Sequence, residues 1–543
     1  MGSDDLKAAA RIGDEAEYFL CNPWRSLFMT LARTNDTAAE AQDANFAELA
    51  RNLVRTMLES GRLVSDLLDG ANGKARYDTA FSDSVDAGDM LRELAAAWMR
   101  DPAPLFGAQA SLLASYAELW SASMRRAFGD EVPPVIQPEP SDQRFRDAEW
   151  TSNPYFDFWK QLYLINSRFA EGLLAETEAL DPKTRQSMSF RLKQMTAALS
   201  PSNFPLTSPE ILRETVKTNG LNLVSGMRNA VGDMEKPGEV FTVSQSDIGA
   251  FEVGRDLATA KGSVVFENEL FQLIQYAPCT ENVREVPLLI VPPWINKYYI
   301  LDLAPEKSFV SFAVAQGFTV FMMSWVNPDA RHATKTFENY ITEGLFAAAS
   351  AVTRETGMGR PNVLGYCIGG TLAASALAYL AAIEEERFTS LTLLATQLDF
   401  SASGELSLFT GEAQLAAIEA LMADAGTLDG SRMASAFNAL RPKDLFWPYV
   451  VNNYLLGKSP PPFDLLYWNQ DSTRMPAANH TFYLRQFYLR NLLARGEMQL
   501  HIDPLGDGAA ATAEDHIVRY LSELRGHNAP PPDAAGVRLD LGQ

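Results

Sequence analysis

The chain predicts an α/β fold over its second half, behind a mostly helical N-terminal region. Two observations carry this reading. After Pro237, short apolar runs alternate with helical stretches: Leu288-Leu289-Ile290-Val291, Phe318 to Trp325, Val363-Leu364 and Leu391 to Ala395 are separated by Ser308 to Gln316, Phe337 to Glu355 and Thr371 to Glu386. Such alternation argues a parallel sheet with helices on both faces, and continuous apolar runs suit strands covered on both sides. The second observation is Gly365-Tyr366-Cys367-Ile368-Gly369-Gly370, placed between the third run and the alanine-rich stretch that follows it. Strand, tight Gly-x-nucleophile-x-Gly turn and helix form a nucleophile elbow, so the class narrows to an α/β-hydrolase fold.

The elements follow in order. Residues 1–235 read as a helical N-terminal domain; Phe46, Leu49, Ala50, Leu53 and Met57 already fall on one helix face. Val132-Pro133-Pro134 through Pro138-Glu139-Pro140 reads as a linker, and helices follow over Tyr155 to Leu180 and Lys183 to Leu199. Ser200-Pro201-Ser202-Asn203 is a turn. Residues 236–543 form the catalytic domain, opening on a hairpin-like pair, Ser263 to Phe266 and Leu270 to Tyr276. From Phe400 to Leu493 the alternation lapses into an aromatic-, Asn- and Pro-rich segment, read as a cap inserted between core strands. Its aromatic and Met residues are either ordinary core or the lining of an apolar acyl channel.

The elbow is specific. With 34 glycines and three cysteines in 543 residues, Gly-x-Cys-x-Gly arises by chance about 0.01 times per chain. A free cysteine is usually a small buried hydrophobe, but a strand before and a helix after favour a nucleophile. Cysteine in place of serine points to acyl transfer through a thioester.

Bulk properties narrow the partners. The net charge of −22, with no long Lys/Arg run, argues against nucleic acid. A polyanionic substrate such as a coenzyme A ester would need a local basic patch inside that acidic field. Cys21, Cys279 and Cys367 are too few and scattered for a disulfide framework, which suits a reducing cytoplasm. The start, Met1-Gly2-Ser3-Asp4-Asp5, shows no signal peptide, and no apolar run reaches membrane-spanning length. Five histidines without His-x-x-x-His spacing, and no Cys-x-x-Cys, leave no metal site expected.

A family resemblance adds to this. Asp142-Gln143-Arg144-Phe145, Trp150, Ser200-Pro201-Ser202-Asn203, Val265-Phe266-Glu267-Asn268, the run Pro292-Pro293-Trp294-Ile295-Asn296-Lys297-Tyr298-Tyr299, Ser324-Trp325-Val326-Asn327-Pro328, Asn452-Asn453-Tyr454 and Leu465-Leu466-Tyr467-Trp468-Asn469 stand in order around the elbow. In these blocks the chain resembles the class I polyhydroxyalkanoate synthases, bacterial polyester polymerases. The resemblance implies that (R)-3-hydroxyacyl-CoA joins a growing polyester while CoA leaves, with Cys367 carrying the acyl chain. It implies no cofactor besides the coenzyme A of the substrate, a homodimer, and a cytoplasmic location at the polymer granule. One oxyanion donor is expected at the Ile368 N–H and the other near Trp294 or Ile295.

The family completes its triad late in the chain. Glu514-Asp515-His516-Ile517 resembles the segment that supplies the aspartate, and Gly526-His527 resembles the one that supplies the base. Asp515 and His527 are therefore the candidates for acid and base. The segment 501–543 is atypical. His527 follows Asp515 too soon, and about 35 residues separate Gly496-Glu497-Met498 from Gly536-Val537-Arg538-Leu539-Asp540-Leu541-Gly542, which in the family follows it soon after. Two readings stay open: a working triad in a shortened C-terminus, or an interrupted order in which the chain stops before the true pair. His516 is an intermediate option. His480 reads as structural, His332 as a surface-loop residue, and His501 has no context. The competing functions are a Cys-dependent α/β hydrolase and a catalytically impaired, granule-associated or dimer-partner protein.

Overall fold

The computed structural model describes residues 87–502 apart from 101, 179 and 237–240. The Phe46–Met57 helix and the candidates Asp515, His516 and His527 lie outside the described residues.

The N-terminal part is helical: α1 Ala87–Arg100, α2 Ala103–Ala127, α3 Pro154–Glu176, α4 Pro182–Ala198, α5 Pro209–Lys217 and α6 Leu221–Met234. Three of these starts are written in the sequence. Asn153, Asp181 and Ser208 each precede a proline at the first helical position, and each side chain accepts a backbone N–H of the first turn. The cap fills an orphan donor, and proline has no N–H to leave unpaired. The Pro-rich stretch between α2 and α3 is not a free linker. Its Val135 and Ile136 N–H groups donate to Gln161 Oε1 at 2.6 and 3.2 Å, because extended backbone laid against a helix must find acceptors. Asp157 on α3 is buried and takes Arg126 of α2 and Lys160 (2.9 Å) as ion-pair partners.

The second part is built on a six-stranded sheet in the order β1-β2-β4-β3-β5-β6. β1 Gly262–Glu267 and β2 Phe271–Tyr276 form the expected antiparallel pair. β3 Leu288–Val291, β4 Val320–Trp325, β5 Asn362–Tyr366 and β6 Ser390–Leu394 run parallel to one another. Alternate residues feed the two faces. Leu289, Val291, Phe321, Met323 and Val363 enter one core, beneath α8 Ala347–Thr356 and α9 Ile368–Ala382. Leu288, Ile290, Val320, Met322 and Leu364 enter the other, beneath α7 Phe309–Ala315. β6 departs from the doubly covered reading: among the described residues it ends the sheet, with Leu391 and Leu393 half-buried and Leu394 exposed. Local apolarity marks a strand but not its place in the sheet.

After β6 come α10 Glu412–Ala425, α11 Gly430–Leu440, α12 Asp464–Gln470 and α13 Ala477–Tyr483, with β7 Thr427–Leu428 pairing β8 Met475–Pro476. The N-terminal helices dock on this segment. Gln186 donates to the Gly404 carbonyl, Asn222 to that of Leu455 and Asn229 to that of Asn453, while Tyr454 Oη donates to Asp233 at 2.7 Å. At Gly226 a side chain is impossible: its Cβ would lie 1.8 Å from the Tyr454 carbonyl oxygen.

Candidate active site around Cys367

β5 ends and α9 begins at Cys367, whose backbone is forced into φ 53°, ψ −127°. Positive φ on a non-glycine residue costs about 1–3 kcal/mol and persists only where surroundings impose it. Here they do. The Cys367 N–H donates to the Leu394 carbonyl of β6 at 2.9 Å, and its own carbonyl accepts the Gly370 N–H at 2.9 Å. The glycines are needed for close approach. A Cβ on Gly365 would lie 2.3 Å from Gly370 Cα, one on Gly369 2.2 Å from the Val291 oxygen, and one on Gly370 2.0 Å from Thr396 Oγ1. The first turn of α9 thus rests directly on the ends of β3 and β6.

Burial raises the pKa of the half-buried Cys367 thiol above its ordinary value, while the Ile368 N–H pulls the other way. The helix N-terminus favours the thiolate, but desolvation prevails. Among the described residues, no side chain hydrogen-bonds the sulfur.

The loop after β3 abuts the elbow. Pro292 presents its carbonyl to Trp325 Nε1 at 2.8 Å. Trp294 is fully buried, its ring centroid 5.4 Å from Tyr340 and 5.6 Å from Tyr483. Its indole is therefore packing. Ile295 and Cys367 both lean on the same core cluster as Ile368.

Sequence reasoning did not single out the aromatic wall above the sulfur. Tyr483 at the end of α13, and Tyr488 in the wide π-turn Leu484–Leu489 that follows, face the Cys367 environment. Burial, then the nearby Cys367, pushes Tyr488 up to about 12. Phe400 packs at 4.8 Å against Tyr488, whose ring is 5.6 Å from that of Tyr483. The only signal had been the aromatic density of the segment.

The histidines divide. His480 is buried in α13 without a partner for Nδ1, and burial depresses it to about 4. His332, expected on a surface loop, is buried instead: its Nδ1 accepts the Asp329 N–H at 3.2 Å and its Nε2 lies 3.1 Å from the Glu269 carbonyl. The capping box it forms folds the ring inward. His501 is exposed, beside Ile502, whose carbonyl accepts Tyr379 Oη of α9 at 3.1 Å.

A strained cysteine elbow on a parallel sheet, glycine-packed against the neighbouring strand ends, defines an enzyme of the α/β-hydrolase fold, and an α/β-hydrolase family model matches residues 287–515. The model described as "Poly-beta-hydroxybutyrate polymerase (PhaC) N-terminus" matches residues 141–313. A poly(3-hydroxyalkanoate) polymerase of Methylorubrum extorquens is 46% identical over 516 residues, covering 93% of this chain and 83% of that one. Polymerase subunits PhaC from Rhizobium meliloti and Cupriavidus necator are 44% and 43% identical, covering 89% and 78% of this chain and 80% and 72% of theirs. The chain belongs to the poly(3-hydroxyalkanoate) polymerase family.

Proposed function

We propose that the protein polymerises (R)-3-hydroxyacyl-CoA into polyester through an acyl thioester on Cys367, with release of CoA. The observation that carries this is the strained Cys367 elbow under an aromatic wall in a chain of this family. The thiolate attacks the substrate thioester carbonyl, the C–S bond to CoA breaks, and CoA leaves as a thiol once protonated. Exchange of one thioester for another is nearly neutral in energy, which suits cysteine. The Ile368 N–H and an N–H of the Trp294–Ile295 loop are assigned to the oxyanion. A 3-hydroxyl oxygen of the next unit then attacks the bound acyl carbonyl, forming the ester and freeing sulfur. That step needs a base to take the hydroxyl proton, the role assigned to His527 with Asp515 as its partner.

Association with a granule and with a second copy belongs to the same proposal. Phe106, Leu113 and Trp120 recur every seven residues along α2, each about two-thirds exposed, an apolar stripe that either surface would cover. Among the described residues no helix is long and apolar enough to cross a membrane.

The test is sustained CoA release from (R)-3-hydroxybutyryl-CoA, with recovery of polymer, beside Cys367→Ala. Polymer lost in the variant is the expected result. Free hydroxy acid in place of polymer would make the protein a hydrolase, and a single sub-stoichiometric burst would mean that acylation proceeds without a base for elongation.

A further inference from the structure

A cleft of about 700 Å³ lies on the seam between the N-terminal helices and the 443–458 stretch. None of its lining residues belongs to the elbow, the β3 loop or the aromatic wall. Its walls carry five cations, Arg144, Arg146, Arg213, Lys443 and Lys458, against the two carboxylates Asp147 and Glu210. This reverses the balance of the whole chain, with 46 basic and 68 acidic residues.

The cations are not equally engaged. Arg144 is held by Asp142 at 2.7 Å, and Arg213 by Asp147 at 2.6 Å and by Glu149. Lys458 reaches Glu210 only at 3.7 Å. Arg146 and Lys443 are exposed and make no ion pair or hydrogen bond to another side chain among the described residues. Burial pushes Asp142 up, yet Arg144 beside it and the Lys443 charge hold it below the ordinary carboxylate value. With Asp142 and Glu149 counted, five cations face four carboxylates, so the unpaired positive charge of the concavity rests on Arg146 and Lys443. A cleft with low-dielectric walls focuses such a field, and it does so here inside a molecule that otherwise repels anions. Trp447, half-buried on the same wall, offers an aromatic face.

We propose that this cleft binds a phosphorylated nucleotide, its phosphates on Arg146 and Lys443 and its base against Trp447. Arginine and lysine together suit phosphate oxygens, and the volume suits one nucleotide. A nucleic acid polymer would meet the surrounding acidic surface. The same chemistry has two sources, the nucleotide end of coenzyme A and a free adenine nucleotide. For coenzyme A the inference rests on the proposed polymerisation and for a free nucleotide it does not; the titration reads binding and not turnover, so its failure is distinct from failure of that reading.

The full chain is titrated calorimetrically with adenosine 3′,5′-bisphosphate, CoA, pantetheine and ATP, for the wild type, R146E/K443E, and the equally charge-altered control R284E/R360E. Adenosine 3′,5′-bisphosphate should bind the wild type and the control, and weaken about tenfold or more for each cleft cation removed. Equal weakening of CoA, with pantetheine unmoved, assigns the site to the coenzyme. Unchanged CoA affinity with lost ATP binding assigns it to a free nucleotide. Trp447→Leu should weaken adenosine 3′,5′-bisphosphate but not inorganic pyrophosphate. Wild-type affinity for adenosine 3′,5′-bisphosphate in R146E/K443E, or no binding of either nucleotide by the wild type, overturns the proposal.

Discussion

Replacing Gly369 with alanine puts a methyl carbon 2.2 Å from the Val291 oxygen and 2.6 Å from that of Pro292, where ordinary contact begins near 3.4 Å. Both atoms are backbone, and Val291 is paired in the sheet to Gly365, so neither yields by rotating a side chain. The start of α9 has to move by about 1 Å. Overpacking of this kind costs about 1–3 kcal/mol, and alanine in a helix returns about 1 kcal/mol. Net stability should therefore fall by no more than about 2 kcal/mol, and the protein should still fold. Activity should not survive so well. The nucleophile is two residues from the shifted carbon, and misplacement by about 1 Å costs a reaction on the order of 100-fold. The assay is CoA release from (R)-3-hydroxybutyryl-CoA, with urea unfolding alongside. Gly359→Ala, where a Cβ meets open space, is the control and should behave as wild type. Turnover by Gly369→Ala within twofold of wild type would refute the claim that backbone contact between α9 and β3 sets the sulfur.

Three further outcomes follow from the same contacts. His480 is held neutral by burial, to about 4, against an ordinary value of about 6.5. Its folded pKa is depressed, so the stability it confers is present above about pH 6.5 and is lost as pH falls toward 4, on the order of 3 kcal/mol; His480→Leu should flatten that limb in urea midpoints taken at pH 7 and pH 5. Desolvation of the half-buried Cys367 thiol raises its pKa, so its alkylation by iodoacetamide should keep rising with pH beyond the ordinary thiol value of about 8.5. An inflection below that value would show a base paired with the sulfur. Asp157→Ala strands Arg126 and Lys160 in the α2–α3 interface, and should cost about 3–5 kcal/mol; a loss under 1 kcal/mol in chemical denaturation would count against a buried, coupled site.

What the sequence disclosed depended on how local each cause is. Leu288–Val291 and Phe318–Trp325 announced themselves because strands covered on both faces must be apolar throughout. The elbow was legible because its geometry admits only glycine at Gly365, Gly369 and Gly370. The same logic did not reach β6, whose Leu391, Leu393 and Leu394 look like core but stand at the end of the sheet among the described residues; position in a sheet is a tertiary fact. His332 looked like loop because its inward turn depends on a carbonyl at Glu269, 63 residues away. Tyr483 and Tyr488 were part of an aromatic-rich segment, and nothing in spacing alone distinguishes a ring that faces Cys367 from one that packs on Phe337. The seam between the N-terminal helices and the 404–458 stretch was invisible for the same reason, since its partners lie more than 200 residues apart.

The sulfur and the wall above it are fixed by different means. Main-chain contact and three glycines set Cys367, whereas side chains of a separate segment, Tyr483 and Tyr488, backed by Phe400, stand near it. A substitution in that wall alters what fits without touching the elbow. On the proposed thioester mechanism, exchanging those rings would change the room around the acyl chain while the main-chain contacts that hold Cys367 stay as they are.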